Sequence, residues 1–240
     1  MRLDREIVRR KLASTRSRAH FLIKSKAVKV NRKLELKPAK NINIEDEISL
    51  DFTFNPWVSR GGLKLDHLFK SLSLKKLKGK ALDIGSSTGG FTEVLLYYGV
   101  EMVYSIDVGK NQMNHLLRKN KKIVLYEELN VKNMNNYDFP KFDIIVCDVS
   151  FISLKKVIKP NIKFLKNNGW IISLIKPQFE IGKDLLGKGG VVKNAVHHQM
   201  VVDDIRVFFE NEIDLSIKGI IDSPILGPKG NKEFLIYGQK

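Results

Sequence analysis

Asp83-Ile84-Gly85-Ser86-Ser87-Thr88-Gly89-Gly90-Phe91 follows a short apolar run at residues 81–84 and leads into an amphipathic stretch at residues 90–98. A strand that passes through glycines into a helix makes the kind of turn where a ligand can approach the backbone closely. In open α/β sheets such ligands lie beyond the carboxyl ends of the strands. Outward from this turn, apolar runs at residues 102–108, 123–126, 142–149 and 170–175 alternate with helix-like stretches at 111–119, 154–165 and 194–210. That alternation predicts a mostly parallel, Rossmann-like α/β sheet with helices on both faces. Two last runs, 215–221 and 233–237, are separated only by a Gly/Pro loop, which predicts an antiparallel last strand.

The glycine spacing discriminates between ligands. A dinucleotide fingerprint reads Gly-x-Gly-x-x-Gly, whereas here the glycines are Gly85, Gly89 and Gly90, with Asp83 two residues before the first. An acid beside the turn suits a ligand with a cationic amine, such as S-adenosylmethionine, better than a pyrophosphate. Asp107 ends the next strand, where it can accept from both hydroxyls of a ribose, and Asn130, after the third strand, is placed to flank an adenine. The expected cofactor set is therefore Asp83, Gly85, Ser86, Ser87, Thr88, Gly89, Gly90, Phe91, Asp107 and Asn130. The plainer alternative makes Asp83 and Asp107 helix caps. Two acids and three glycines meeting at one crevice weigh against it.

Charge adds a second theme. The 240 residues carry 42 Lys plus Arg against 26 Asp plus Glu, a net +16. Residues 1–40 hold 14 of the basic residues against Asp4, Glu6 and Glu35, so 14 − 3 places +11 there. Such asymmetry predicts a small basic module ahead of a conventional domain, and phosphate-bearing partners for it. Within the module, helical spacing of Leu3, Ile7, Val8 and Leu12 and of Ala19, Leu22 and Ile23 predicts two helices. Alternation around Asn31-Arg32-Lys33 predicts a hairpin, and residues 48–54 a further strand. Pro56 in Asn55-Pro56-Trp57 marks the boundary, giving domains at 1–54 and 60–240 with a linker at 55–59.

Other classes are disfavoured. No apolar run reaches about 18 residues, and the start Met1-Arg2-Leu3-Asp4 lacks the apolar core of a signal peptide, so neither a membrane span nor secretion is expected. The single Cys147 suits a reducing cytoplasm and reads as a buried strand residue, not a nucleophile. His197-His198 has no third ligand at metal spacing and reads as structural, so no metal is expected.

Four charges remain to be explained. Asp148 and Lys176 each end an apolar strand at the same rim as Asp83, Lys64 precedes the first strand of the sheet, and Glu233 begins the last. Singly they are ordinary surface charges. Together they alternate in sign and can cluster at one mouth.

At this point the chain resembles a known family. Ser86-Ser87-Thr88-Gly89-Gly90-Phe91-Thr92, Asp148-Val149-Ser150-Phe151-Ile152-Ser153-Leu154, Lys176-Pro177-Gln178-Phe179-Glu180 and Gly189-Gly190-Val191-Val192 look like the TlyA (hemolysin A) family of ribosomal RNA 2′-O-methyltransferases. That resemblance implies an FtsJ-like, S-adenosylmethionine-dependent methyltransferase domain behind a small α+β RNA-binding domain of the ribosomal protein S-four type. It assigns Lys64, Asp148, Lys176 and Glu233 to the family's catalytic Lys-Asp-Lys-Glu set. Within that set the chemistry of proton removal makes Lys176 the expected base. A neighbouring cation such as Lys64, with partial burial, favours a neutral amine there, and the two acids pull the other way.

In the basic module Thr15-Arg16-Ser17-Arg18-Ala19, Leu22-Ile23 and Val28-Lys29-Val30-Asn31 resemble the S-four type motif, and Arg2, Arg16, Arg18, Lys26, Lys29 and Arg60 are the expected RNA contacts. Lys26 and Arg32 stand where the family usually has glycine, and Asn55 where it has arginine. The short type of the family implies a cytidine of large-subunit rRNA as target. The rival classes are a non-catalytic RNA-binding assembly factor and a membrane-active hemolysin.

Overall fold

The computed structural model describes residues 1–13, 16–24, 26–50, 56–187 and 189–240, with the side chains of all of these except Ser17, Arg18, Phe21 and Lys183. The expected contact by the Arg18 side chain, and the readings placed on Thr15, Asn55 and residues 51–54, thus lie outside the described residues. The chain divides into two compact units, residues 1–60 and 61–240, the boundary falling after Arg60, the first residue of a helix whose remainder belongs to the second unit.

In the first unit, helices α1 (Leu3–Arg9) and α2 (Arg16–Lys24) accompany a small antiparallel sheet of β1 (Val28–Val30), β2 (Lys33–Leu34) and β3 (Ile48–Leu50), in the order β2-β1-β3. The apolar positions that predicted the helices form its core: Leu3 and Ile7 from α1, and Ala19, Leu22 and Ile23 from α2, cluster with Ala27, Val28, Val30 and Ile42. Two acids are buried there with their cations. Asp4 accepts from Arg2 at 3.0 Å, Arg16 at 2.8 Å and the ring of His20 at 2.9 Å, and Glu6 binds Arg9 and Arg10. These arginines hold both carboxyls well below the usual carboxylate range, Glu6 at about 2.

The hairpin joins Val30 to Lys33 through Asn31 and Arg32, whose φ angles are 50° and 64°. A two-residue turn with both φ positive prefers Asn-Gly, because a Cβ at the second position is strained. Asn31 fits that preference and Arg32 does not. Arg32→Gly is therefore expected to stabilise the first unit by about 0.5–1 kcal/mol, read as a higher denaturation midpoint. The exposed Arg32–Glu47 pair at 3.9 Å that it removes contributes little.

The second unit is built on one seven-stranded sheet. Its elements are α3 (Arg60–Ser71), β4 (Lys80–Ile84), α4 (Gly90–Tyr97), β5 (Met102–Ile106), α5 (His115–Arg118), β6 (Ile123–Tyr126), β7 (Phe142–Cys147), α6 (Leu154–Asn161), β8 (Leu165–Ile175), α7 (Pro177–Glu180), α8 (Ala195–Val207), β9 (Ser216–Asp222) and β10 (Phe234–Gln239). The strand order is β6-β5-β4-β7-β8-β10-β9. Strands β4 to β8 are parallel, whereas β10 is antiparallel to both of its neighbours, β8 and β9. The last strand in sequence thus inserts inside the sheet and leaves β9 at the edge. Leu82, Ile84, Phe142, Ile145, Ile171 and Ile175 from the strands share one core with Leu154, Val157 and Ile158 of α6 and with Ile205, Phe208 and Phe209.

One expected helix is much shorter than its pattern. Of residues 111–119 only His115–Arg118 are helical, and the helix is capped by Asn114. The Glu127 carboxylate accepts the backbone N–H groups of Asn111 and Gln112, each at 2.9 Å, and Asn111 has φ 54°, so a side chain replaces the helical turn. The next two helices are also shorter than their patterns. The stretch at 154–165 is α-helical to Asn161, and that at 194–210 to Val207, where a wider π turn takes over.

Candidate active site

Strand β4 delivers the glycine turn to the carboxyl edge of the sheet. Gly85 and Gly89 have φ of 82° and 95°, the left-handed region that favours glycine. A Cβ on Gly85 would lie 2.6 Å from the carbonyl oxygen of Asp148, and the Asp148 N–H donates to the Ile84 carbonyl at 3.0 Å. The glycine turn and the loop after β7 are therefore packed into one rim. Ser87 also has a positive φ, 46°, and its N–H donates to Asp107 at 2.8 Å, with the other Asp107 oxygen accepting from Gly109.

Asp83 is fully buried beneath this turn. One oxygen accepts from Thr92 Oγ1 at 2.5 Å, and Thr92 in turn meets Ser105 at 2.8 Å. The other oxygen has no partner among the described residues, and neither does the buried hydroxyl of Ser86. Burial pushes the Asp83 carboxyl up to about 7, against the Thr92 bond and with help from Asp148 and Asp107. The remaining turn residues of the expected set follow in order: Thr88, whose carbonyl accepts from Asn114, then Gly90 and Phe91, both buried at the start of α4. Asn130 lies just past β6, exposed, with its side chain capping the turn that starts at Val131.

The four alternating charges meet in a line. Glu233, just before β10, pairs with Lys64 on α3 at 2.7 Å. Lys64 reaches one Asp148 oxygen at 3.8 Å, and the other lies 2.6 Å from Lys176, at the end of β8. Lys176 also donates to Ser150 Oγ at 2.8 Å. Lys64 and Lys176 are each 6% exposed and Glu233 1%, so three of the four groups are buried by long-range packing and hold one another. Such a line can hold an ammonium at a fixed point and pass a proton to or from it.

Several neighbours are not singled out by the sequence, although all but Gly227 lie within the family-like motifs. Ser150 lies two residues beyond Asp148, but its contact with Lys176 spans 26 residues of chain. Gly227 packs against the Glu233 carboxylate so closely that a Cβ would stand 2.0 Å from Oε1. Glu180 accepts from both Ser153 Oγ and Leu154 N at 2.7 Å, locking α7 to the start of α6. Burial raises the Glu180 carboxyl above its usual range. Phe151, on the same loop as Asp148, is 90% exposed with φ 65°, and its ring rests 5.1 Å from that of Phe179.

Of the expected RNA contacts, Arg2 and Arg16 are ion-paired with Asp4, Lys26 is exposed with φ 64°, Lys29 is half-buried at the centre of β1, and Arg60 is exposed at the first turn of α3. Cys147 is fully buried and its thiol is pushed up by burial, which suits a packing residue. His198 contacts the Val192 carbonyl at 2.9 Å and the ring of Phe234, also a structural arrangement. Among the described residues, no helix is long and apolar enough to cross a membrane.

A parallel sheet with one reversed strand, a glycine turn over a buried acid and a line of buried charges at the strand ends define a Rossmann-like methyltransferase. The chain belongs to the FtsJ-like methyltransferase family, whose pattern residues 57–240 match, and residues 1–48 match the S4 domain. It is 34% identical over 239 residues to the 16S/23S rRNA (cytidine-2′-O)-methyltransferase TlyA of Mycobacterium tuberculosis, covering 98% of this chain and 88% of that one. To the 23S rRNA (cytidine-2′-O)-methyltransferase TlyA of Campylobacter jejuni it is 34% identical over 226 residues, 92% of this chain and 85% of the other. A solved structure from Streptococcus thermophilus, named as a hemolysin, superposes over 100% of this chain and 88% of its own with a TM-score of 0.74 at 33% identity.

Proposed function

We propose that this protein is an S-adenosylmethionine-dependent ribosomal RNA methyltransferase that modifies a cytidine 2′-hydroxyl of large-subunit rRNA. The observation that carries the reading is the buried line Glu233–Lys64–Asp148–Lys176, set on the same rim as the glycine turn. When bound, the cofactor supplies a methyl group already activated on a sulfonium. The chain itself has to position the ribose and remove a proton. Lys176 Nζ takes the proton of the 2′-hydroxyl, and Asp148 and Ser150 hold the resulting ammonium. Lys64, braced by Glu233, keeps the Asp148 carboxylate from turning away.

The cofactor fits the turn on two counts. Two buried polar atoms there, on Asp83 and Ser86, have no partner among the described residues. Asp107 stands half-exposed at the end of β5, already anchored through two backbone N–H groups. Asp83, Ser86, Asp107 and the amides from Gly85 to Gly90 would hold it, with Asn130 and Phe91 flanking. The exposed, strained Phe151 offers a stacking face for the target base beside Lys176. Arg2, Arg16, Lys26 and Lys29 of the first unit, and Arg60, grip RNA phosphates, which supplies affinity without base readout. The two TlyA relatives have 23S rRNA in common in their names, which supports the large subunit as substrate.

Asp83 gives a test of the cofactor assignment. Its raised carboxyl is a stabilising, protonated group below about pH 4, and that contribution is lost as pH rises through about 7. Asp83→Asn is therefore expected to raise the melting temperature at pH 8 by several degrees without cofactor while weakening S-adenosylmethionine binding. Unchanged binding by calorimetry would remove Asp83 from the site. The function itself is tested with radiolabelled S-adenosylmethionine on ribosomes, separated subunits and naked rRNA, followed by mapping of the modified nucleotide. Tight RNA binding with no incorporated methyl would instead make the chain an assembly factor.

A further inference from the structure

The outward face of α6 consists of lysine and proline alone. Leu154, Val157, Ile158 and Asn161 are buried, which leaves Lys155, Lys156, Lys159 and Pro160 facing out. With Lys132, from the turn after β6, these residues line an open cleft of about 580 Å³ walled by Phe208 and Glu212. Two of the lysines are held from the far wall: Lys155 pairs with Asp204 and Lys159 with Glu212, each at 2.7 Å. Lys132 and Lys156 have no carboxylate partner among the described residues. Like charges crowded into one cleft repel one another, and a polyanion laid along it relieves that repulsion.

The position of the cleft says which anion. The start of α6 is fastened by Glu180 to the turn that begins next to Lys176, and the same loop carries Asp148, Ser150 and Phe151. The lysine ridge therefore leads away from the mouth of the proposed site over the length of α6, about 12 Å for eight residues. We propose that this ridge is a second RNA contact, carried by the second unit itself, which grips backbone phosphates of the strand beside the target nucleotide. The inference rests on the rRNA methyltransferase reading. Lysines act there as point charges, so the ridge adds affinity and register and does not read sequence.

The test compares the full chain with Lys132→Gln/Lys156→Gln, a pair that leaves both ion pairs and the proposed catalytic line untouched. Binding to a full-length 23S rRNA transcript is measured across a salt series, and methylation of large ribosomal subunits at steady state. The slope of log K against log salt should become shallower by about 0.7–0.9 for each phosphate no longer neutralised, roughly 1.4–1.8 for the pair. The KM for subunits should rise with kcat and cofactor affinity unchanged. Equal slopes and equal KM would overturn the ridge while leaving the methyltransferase reading intact. A raised KM with an unchanged slope on the transcript would also overturn it, pointing to a ribosomal protein as the occupant. A wild-type chain that binds the transcript but transfers no methyl would refute the catalytic reading, and the slope comparison would still decide the ridge; one that binds no rRNA would remove both.

Discussion

Lys176→Ala is expected to lower methyl transfer by at least about 100-fold, the loss typical of a removed general base, with S-adenosylmethionine binding essentially unchanged. The geometry separates the two effects. Lys176 is held by Asp148 and Ser150, whereas the glycine turn is anchored through the Asp83–Thr92 bond and the Asp107 carboxylate, with no contact from Lys176 to either acid among the described residues. Lys176→Arg is a sharper form of the experiment, because it keeps the charge and the Asp148 pair but cannot lose a proton at working pH. If Lys176 only held Asp148 in place, arginine would restore much of the rate. If it takes the proton, arginine should be as inactive as alanine. Substantial activity in either variant would transfer the base role elsewhere, while a parallel loss of cofactor binding would mean that the line of charges supports the glycine turn as well.

The sequence shows the proposed cofactor side of this site more clearly than the proposed catalytic side, for a physical reason. Gly85 and Gly89 are required by local backbone geometry, so their spacing after β4 is a local signal. Asp148 and Lys176 are legible because strand ends are predictable from apolar runs, and a charge ending such a run has to face the rim. Lys64 and Glu233 could be grouped with them only by sign and by resemblance, since their meeting depends on the packing of α3 and on β10 entering between β8 and β9. Side chains that replace backbone partners were not legible. Glu127 dissolves the first part of a helical pattern by taking its N–H groups. In the first unit Asp4, a charge in the first turn of a helix, proves to be a buried centre for Arg2 and Arg16. The +11 of residues 1–40 is thus partly organised by the module's own acids, which fixes the directions of these arginines before any RNA arrives.

Gly227→Ala should reduce activity nearly as much as removal of the Glu233 side chain, with the fold retained. Gly227 has φ −71°, which alanine adopts without strain, so the substitution acts through its methyl group alone. That methyl would stand 2.0 Å from Glu233 Oε1 and 2.5 Å from Cδ, and the carboxylate has to swing aside. In doing so it leaves the 2.7 Å pair with Lys64, a residue that is 6% exposed and among the described residues has only the more distant Asp148 oxygen, at 3.8 Å, as another ion-pair partner. Breaking a buried pair on one side costs about 3–5 kcal/mol if nothing relaxes. Lys64 can relax toward Asp148, and that movement draws the carboxylate away from Lys176, so the change reaches the proposed base through the line of charges. A cycle of Gly227→Ala, Glu233→Ala and the double variant tests this route. Because both changes act on one carboxylate, the double variant should be no less active than Glu233→Ala alone. Multiplying losses would show instead that Gly227 matters through the conformation of its loop and not through Glu233.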